Sequence, residues 1–116
     1  MKTIRDHMID NLLGEKPILD FEEVKKSQWS DQFITYMRNR MIVGAYRYGM
    51  IRDENQPKYD NIGSLIERAA LYLESGNQEH LVDIANLALV EYISGCCHLA
   101  PHFFSTDDGY HTKEMK

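Results

Sequence analysis

The sequence predicts an all-α fold, and three observations lead to this prediction. Apolar residues recur every three to four positions over long stretches, which is the period of an amphipathic helix. Residues that start or stop helices bound these stretches, such as Ser30 before the first long one and Gly49 after it. No stretch shows the apolar-polar alternation with paired turn signals that is typical of strands. We therefore expect a compact bundle of about four helices with an irregular C-terminal tail.

Two short helices are predicted ahead of the core. Residues 3–13 carry apolar side chains at four-residue spacing and end at Gly14, as a short amphipathic helix does. A brief second helix is predicted to run to about Lys26, because Asp20 and Glu23 have the spacing of a capping box.

The three longer predicted helices cover residues 30–48, 62–75 and 78–94. Gly76 stops the second of them and Asn77 caps the third. Because so few residues join these two helices, they must form an antiparallel hairpin. The third helix is apolar on nearly every side, so we expect it to be the central one.

The chain has the length of one domain. Its 116 residues are assigned to a single helical domain (1–116), with N-terminal helices in 1–29, core helices in 30–94 and the tail in 95–116. A domain of this size leaves much apolar surface uncovered, and association of identical chains covers it. We therefore expect a homo-oligomer.

Charge and cysteine content narrow the partners. Thirteen Lys and Arg against 18 Asp and Glu give a net charge of −5, which argues against DNA as a partner but leaves a local cluster of arginines free to bind a small anion. No stretch approaches the roughly 20 apolar residues of a membrane span, so no membrane association is expected. Cys96 and Cys97 are adjacent, and reduced thiols fit a cytoplasmic location.

A cationic and aromatic cluster is the main candidate ligand-binding site. On the helix over 30–48, Tyr36, Arg40 and Arg47 fall on one stripe beside the buried face. Other aromatic or basic residues lie close in sequence: Tyr46, Tyr48, Lys58 and Tyr59. Guanidinium and ammonium groups bind phosphates, and flat rings stack on bases, so this composition fits a nucleotide. The alternative is that the arginines pair with acidic residues of a neighbouring helix.

A polar row on the third long helix is the second candidate feature. Glu79, Asp83 and Asn86 are spaced i, i+4, i+7, so they lie along one face of an otherwise apolar helix. In one interpretation Asp83 or Asn86 binds the base or ribose edges of a ligand. In the other, these groups make buried hydrogen bonds to neighbouring helices.

The hairpin resembles that of MazG-like nucleotide pyrophosphohydrolases, through Ser64-Leu-Ile-Glu-Arg68 and Glu79-His-Leu-Val-Asp-Ile-Ala-Asn-Leu-Ala88. In that family, paired Glu-x-x-Glu and Glu-x-x-Asp helices hold magnesium ions against a triphosphate. This chain keeps Asp83 but has His80 three residues before it. The resemblance implies an alternative function, a Mg-dependent nucleoside triphosphate pyrophosphohydrolase whose metal ligands are Glu67, Glu79 and Asp83.

A broader likeness spans residues 30–111. Its motifs are Arg-x-Arg-Met, Ala-Tyr-Arg-Tyr-Gly, Lys-Tyr-Asp, Gly-Asn-x-Glu-His-Leu-Val-Asp-Ile-Ala-Asn-Leu, His-Phe and Asp-Asp-Gly-x-His. This order is similar to a family of small phage proteins that we identify as the anti-CBASS sponges. The resemblance implies an oligomer that sequesters cyclic dinucleotide signals for immune evasion without degrading them, with no cofactor and no enzymatic activity.

The candidate ligand-binding residues are therefore assigned roles on a cyclic dinucleotide. Phosphates are assigned to Arg40, Arg47 and Lys58, and bases to Tyr46, Tyr48 and Tyr59, with Tyr36 beside them. His102 and Phe103, on the irregular tail, either form a lid over the pocket or pack on a neighbouring subunit. A third function, from another class, is a protein-binding inhibitor that uses the same arginines and tyrosines as its interface.

Overall fold

The computed structural model describes residues 3–4, 20–95 and 99–105. Within these residues all regular secondary structure is helical, in four helices: α1 (Phe21–Ser27), α2 (Asp31–Tyr48), α3 (Asn61–Ser75) and α4 (Glu79–Ser94). The predicted all-α fold is confirmed, and the bounds of the three long helices differ from the predicted ones by one residue at most. In the part of the chain that the structure describes, no helix is both long and apolar enough to cross a bilayer.

Side-chain caps fix where α1 and α2 begin. The Asp20 carboxylate accepts hydrogen bonds from the amides of Glu22 and Glu23, at 3.0 and 3.4 Å. The Ser30 hydroxyl accepts one from the amide of Phe33 at 3.1 Å. Each cap satisfies amide groups that the first helical turn leaves without a partner. Both starts agree with the prediction from sequence.

Two glycines with positive φ end α2 and α3. Gly49 has φ 95° and Gly76 has φ 69°, backbone conformations that residues with a side chain rarely adopt. After Gly76, the side-chain oxygen of Asn77 accepts a hydrogen bond from the amide of Glu79 at 3.1 Å, so α4 begins immediately. This tight connection makes α3 and α4 the predicted antiparallel hairpin.

The loop between α2 and α3 is held to the end of α2. The Gln56 side-chain amide donates to the carbonyls of Tyr48 and Gly49, both at 3.2 Å, and so satisfies carbonyls at the helix C-terminus. The rings of Tyr48 and Tyr59 meet edge to face, with centroids 5.9 Å apart. This loop therefore doubles as the C-terminal cap of α2.

Helix α4 is central, as predicted, because both α2 and α3 pack against it. The Asn61 amide donates to the Glu91 carboxylate at 3.3 Å across the hairpin, and the Asn86 amide donates to the Met37 carbonyl at 3.0 Å between α4 and α2. Among the described residues Val82 is the sole buried apolar side chain. The described helices therefore cover much less apolar surface than a self-sufficient core does.

Several predicted segments lie partly outside the described residues. Of the helix predicted over 3–13, the structure describes residues 3–4 alone, and of the tail it describes residues 95 and 99–105, which have no regular secondary structure. The adjacent cysteines, Cys96 and Cys97, also fall outside the described residues.

Candidate functional site

A groove of about 530 Å³ lies between α2 and the start of α4. Ligand pockets for small molecules fall in the range of about 300–1,000 Å³. Its lining residues come from the first half of α2 with its cap and from the first turn of α4 with its cap: Ser30, Gln32, Phe33, Tyr36, Asn39, Arg40, Gln78, Glu79, Leu81 and Val82. The groove thus combines two aromatic rings, side-chain amides and one ion pair.

The aromatic wall of the groove is formed by Phe33 and Tyr36. They are three residues apart on α2 and therefore project from neighbouring positions on the same side. The side-chain amide of Gln32 lies 3.1 Å from the Tyr36 hydroxyl and donates to it. Tyr36 is 49% exposed, so a large part of its surface is available to a ligand.

Arg40 lies at the centre of a charged network that links all three long helices. Its Nη1 lies 3.4 Å from Oε1 of Glu79, and its Nε lies 3.5 Å from Oδ1 of Asp83. Arg68 of α3 approaches the other oxygen of Asp83, with its Nε at 3.9 Å. Two guanidinium groups therefore face two carboxylates, and the network is balanced in charge.

The carboxylates of Asp83 and Glu79 differ in their exposure to solvent. The Asp83 side chain is 15% exposed, whereas Glu79 is 57% exposed and Arg40 is 41% exposed. The three nitrogen–oxygen distances in the network, from Arg40 to Glu79, from Arg40 to Asp83 and from Arg68 to Asp83, all exceed the 2.7–2.9 Å of a charge-assisted hydrogen bond. The Arg40–Glu79 contact is thus a loose ion pair at the surface.

Asn86 is built into the contact between α4 and α2. It is 7% exposed, and its amide nitrogen donates to Met37 as described above. Its Oδ1 is buried and has no hydrogen-bond partner among the described residues. Of the two interpretations of this residue, the geometry matches the hydrogen bond to a neighbouring helix.

Tyr48, Lys58 and Tyr59 lie away from the groove. Lys58 and Tyr59 line a separate hollow of about 30 Å³, together with Val90 and Ser94 of α4. This hollow is much smaller than the groove and has no aromatic wall like that of Phe33 and Tyr36, so it is the weaker candidate for a base. Along α4, the rise from Glu79 to Val90 is about 17 Å at 1.5 Å per residue. The cluster predicted from sequence is thus divided between the two ends of α4.

The other predicted ligand-binding residues are exposed and line neither hollow. Tyr46 is 92% exposed, and Arg47 is exposed near the end of α2. Phe103 is 89% exposed on the tail, next to the exposed His102, so Phe103 does not cover the groove. Tyr36 and Arg40 are the members of the predicted set that the structure places in the groove, with Asp83 bound to Arg40 behind them.

The three carboxylates of the alternative magnesium site do not converge on one point in the described part of the chain. Glu79 and Asp83 both contact Arg40, while Glu67 is exposed on α3 next to Arg68. In residues 3–4, 20–95 and 99–105, no three acidic, histidine or cysteine side chains come together in a group that could hold a metal ion. Magnesium needs oxygen ligands converging at about 2.0–2.1 Å.

Sequence reasoning missed four residues of this site. Gln32 and Phe33 precede Tyr36 by four and three positions, so extending the Tyr36–Arg40 stripe towards the N-terminus of α2 identifies them. Asn39 lies on the same side of the helix. Arg68 follows from hairpin register, because a turn at Gly76 and Asn77 places residue 68 opposite the segment around residue 85.

What the groove binds has to be inferred from these side chains. No family model matches this chain, and neither a curated protein nor a solved structure matches it.

Proposed function

We propose that this protein binds a nucleotide, specifically a cyclic dinucleotide signal, in the groove between α2 and α4 and sequesters it without cleaving it. One observation carries the proposal: a groove of nucleotide size brings together Phe33, Tyr36 and the exchangeable ion pair of Arg40. This function agrees with the resemblance to phage anti-CBASS sponges. Such a sponge acts in the cytoplasm of the host cell, where the signal is made.

The aromatic wall supplies the base contact. Base stacking on an aromatic ring contributes about 1–3 kcal/mol per base and tolerates every base, because each has a π-face. Gln32 and Asn39 add amide groups that donate to and accept from base edges. The hydrogen bond from Gln32 to the Tyr36 hydroxyl limits the motion of the ring before a ligand binds.

Arg40 contacts the phosphate, which takes the place of the Glu79 carboxylate as its partner. An exposed ion pair such as Arg40–Glu79 contributes about 0–1 kcal/mol, whereas a hydrogen bond to a charged group contributes about 1.5–3 kcal/mol. A phosphate that accepts hydrogen bonds from Nη1 and Nη2 of Arg40 therefore gains more than the loss of Glu79 costs, while Nε keeps its contact with Asp83. Asp83 stays behind Arg40 and fixes its position.

Binding without turnover is favoured over metal-dependent hydrolysis by the partners of the carboxylates. Glu79 and Asp83 are two of the three metal ligands in the hydrolase alternative, and both are paired with guanidinium groups. A magnesium ion would have to displace Arg40 from both carboxylates and remain beside its positive charge.

The proposal is tested by recovering the ligand. The purified protein is mixed with each of several cyclic dinucleotides, the free concentration is measured, and the protein is then denatured by heat. We expect the free ligand to fall on mixing and to return chemically intact after heating. Cleaved nucleotide, or pyrophosphate released from nucleoside triphosphates with Mg²⁺ present, would instead support the hydrolase. The absence of depletion for every nucleotide would favour the protein-binding inhibitor.

Replacing Tyr36 by alanine is expected to raise the dissociation constant for the cyclic dinucleotide about tenfold, because one stacking ring is lost. Tyr36→Phe keeps the ring and should stay within about threefold of the unmodified protein. Tyr46→Ala removes a tyrosine of the same helix that lies outside the groove. Isothermal titration measures all three, and a larger loss from Tyr46→Ala than from Tyr36→Ala would contradict binding in the groove.

A further inference from the structure

Arg68 reaches the charged network of the groove from a helix that does not line the groove. The lining residues belong to α2, α4 and their caps, whereas Arg68 lies on α3. Its Nε lies 3.9 Å from Oδ2 of Asp83, and Oδ1 of the same carboxylate lies 3.5 Å from Nε of Arg40. A single carboxylate therefore stands between Arg68 and the arginine that is proposed to bind phosphate.

Asp83 is a carboxylate that depends on both of its cationic neighbours. Its side chain is 15% exposed, against 43% for Arg68 and 41% for Arg40. A carboxylate so largely removed from water is stabilised when both of its oxygens face a cation or a hydrogen-bond donor. On α3 itself, the residues three and four positions from Arg68 carry no charge: Ser64, Leu65, Leu71 and Tyr72. The charge of Arg68 is therefore directed at Asp83.

The cation at Oδ2 determines how Arg40 can pair with Asp83. An arginine and a carboxylate frequently form two parallel hydrogen bonds, in which two nitrogens each meet one oxygen. With Arg68 near Oδ2, Arg40 contacts Oδ1 through Nε, and its Nη1 lies 3.4 Å from Glu79, which lines the groove. The two terminal nitrogens of Arg40 are thus left for partners in the groove.

We propose that Arg68 is a positioning residue for the phosphate contact. It keeps Asp83 from forming a two-point pair with Arg40, so that Nη1 and Nη2 can donate to a phosphate once Glu79 is displaced. This rests on the proposed function, because it concerns how Arg40 is presented to a ligand in the groove. Arg68 acts by its charge, since its contact of 3.9 Å is longer than a hydrogen bond.

Arg68→Gln is expected to raise the dissociation constant for a cyclic dinucleotide about 5- to 10-fold, because Asp83 then takes a second nitrogen of Arg40. Arg68→Lys keeps the charge and should restore the dissociation constant to within about twofold, because the contact it replaces is neither bidentate nor stacked. In an Asp83→Asn background, Arg68→Gln should have less than about a twofold effect, since the carboxylate through which it acts is absent. Isothermal titration measures this cycle on variants confirmed helical by circular dichroism. An undiminished effect in the Asp83→Asn background would overturn the proposal, because Arg68 would then attract the ligand directly.

A measurement on the ligand-free protein separates this proposal from the proposed function. The Nε–H signal of Arg40 is assigned in an NMR spectrum by its loss in Arg40→Gln. We expect Arg68→Gln to shift this signal and to slow the rotation of the terminal nitrogen groups of Arg40, because a two-point pair restrains them. Arg68→Lys should leave both unchanged.

The two failures then look different. An Arg40 signal that Arg68→Gln does not alter would overturn the proposal, even in a protein that binds cyclic dinucleotides. An altered signal in a protein that binds no nucleotide would overturn the proposed function, while supporting the control of Arg40 by Arg68.

Discussion

Asn86→Asp is expected to destabilise the fold by about 3 kcal/mol at neutral pH, the largest single effect on stability that this structure predicts. The substitution preserves the shape of the side chain but removes the amide that donates to Met37. In its place a carboxylate oxygen faces a carbonyl oxygen in a site that is 7% exposed. A buried charge without a partner is one of the few causes of a loss this large.

The pH dependence of this variant gives the effect a distinct signature. Burial raises the pKa of the new carboxyl in the folded chain above its value in the unfolded chain. The penalty is therefore absent below the unfolded pKa and grows as the pH rises towards the folded pKa. At about pH 3 the protonated carboxyl can donate to the Met37 carbonyl, and the difference from the parent protein should shrink.

Urea unfolding of both proteins at about pH 3 and pH 7 measures this difference. Asn77→Asp is the matched control, because the same chemical change at an exposed residue just before the N-cap of α4 retains the side-chain oxygen that accepts from the amide of Glu79. It should change the free energy of unfolding by less than about 0.5 kcal/mol. Equal losses for the two variants, or a loss at Asn86 that does not depend on pH, would show that the contact with Met37 does not hold α2 to α4.

The helices were predictable because their boundaries are set by local chemistry. A cap such as Ser30 acts on amides within three residues, and the positive φ of Gly76 is a property of that residue alone. The hairpin follows from the short connection between α3 and α4. The central position of α4 followed from its composition, since a helix that is apolar around most of its circumference needs neighbours on several sides.

The site was harder to predict, because it depends on how far each helix runs past its neighbour. Tyr36 and Arg47 share a stripe on α2, but they are 11 residues apart, or about 17 Å at 1.5 Å per residue. The spacing of residues in a stripe shows towards which side of the helix they point. It does not show which part of the helix length contacts a neighbouring helix. The first turn of α4 meets the first half of α2, so Tyr36 and Arg40 enter the groove while Arg47 remains outside it.

The contacts of Arg40 could not be predicted from the sequence either. Sequence reasoning left open whether the arginines bind a ligand or pair with acidic neighbours. In the structure the Arg40 side chain makes contacts of both kinds, because its Nε contacts the largely buried Asp83 and its Nη1 contacts the exposed Glu79. Composition cannot separate these contacts, since the difference lies in exposure, which only the packed helices determine.

Arg40→Gln is expected to weaken cyclic dinucleotide binding about 10- to 100-fold, because it removes the charge-assisted hydrogen bonds to phosphate. Arg38→Gln removes the same charge from a position about 160° around α2 from Arg40 and should leave the dissociation constant within about twofold. Isothermal titration at two salt concentrations measures both. A loss from Arg38→Gln as large as that from Arg40→Gln would mean that the general field of the protein, and not the groove, attracts the ligand.

Glu79→Gln, measured in the same titration, is expected to act in the opposite direction and to strengthen binding about 3- to 10-fold. The substitution removes the carboxylate that competes with phosphate for Arg40, and Glu79 is exposed enough that the fold does not depend on it. The hydrolase alternative predicts the reverse, because Glu79 is there a magnesium ligand whose loss lowers activity. A tighter complex therefore supports an anion held by Arg40, whereas weaker binding together with lost pyrophosphate release would support a metal held by carboxylates.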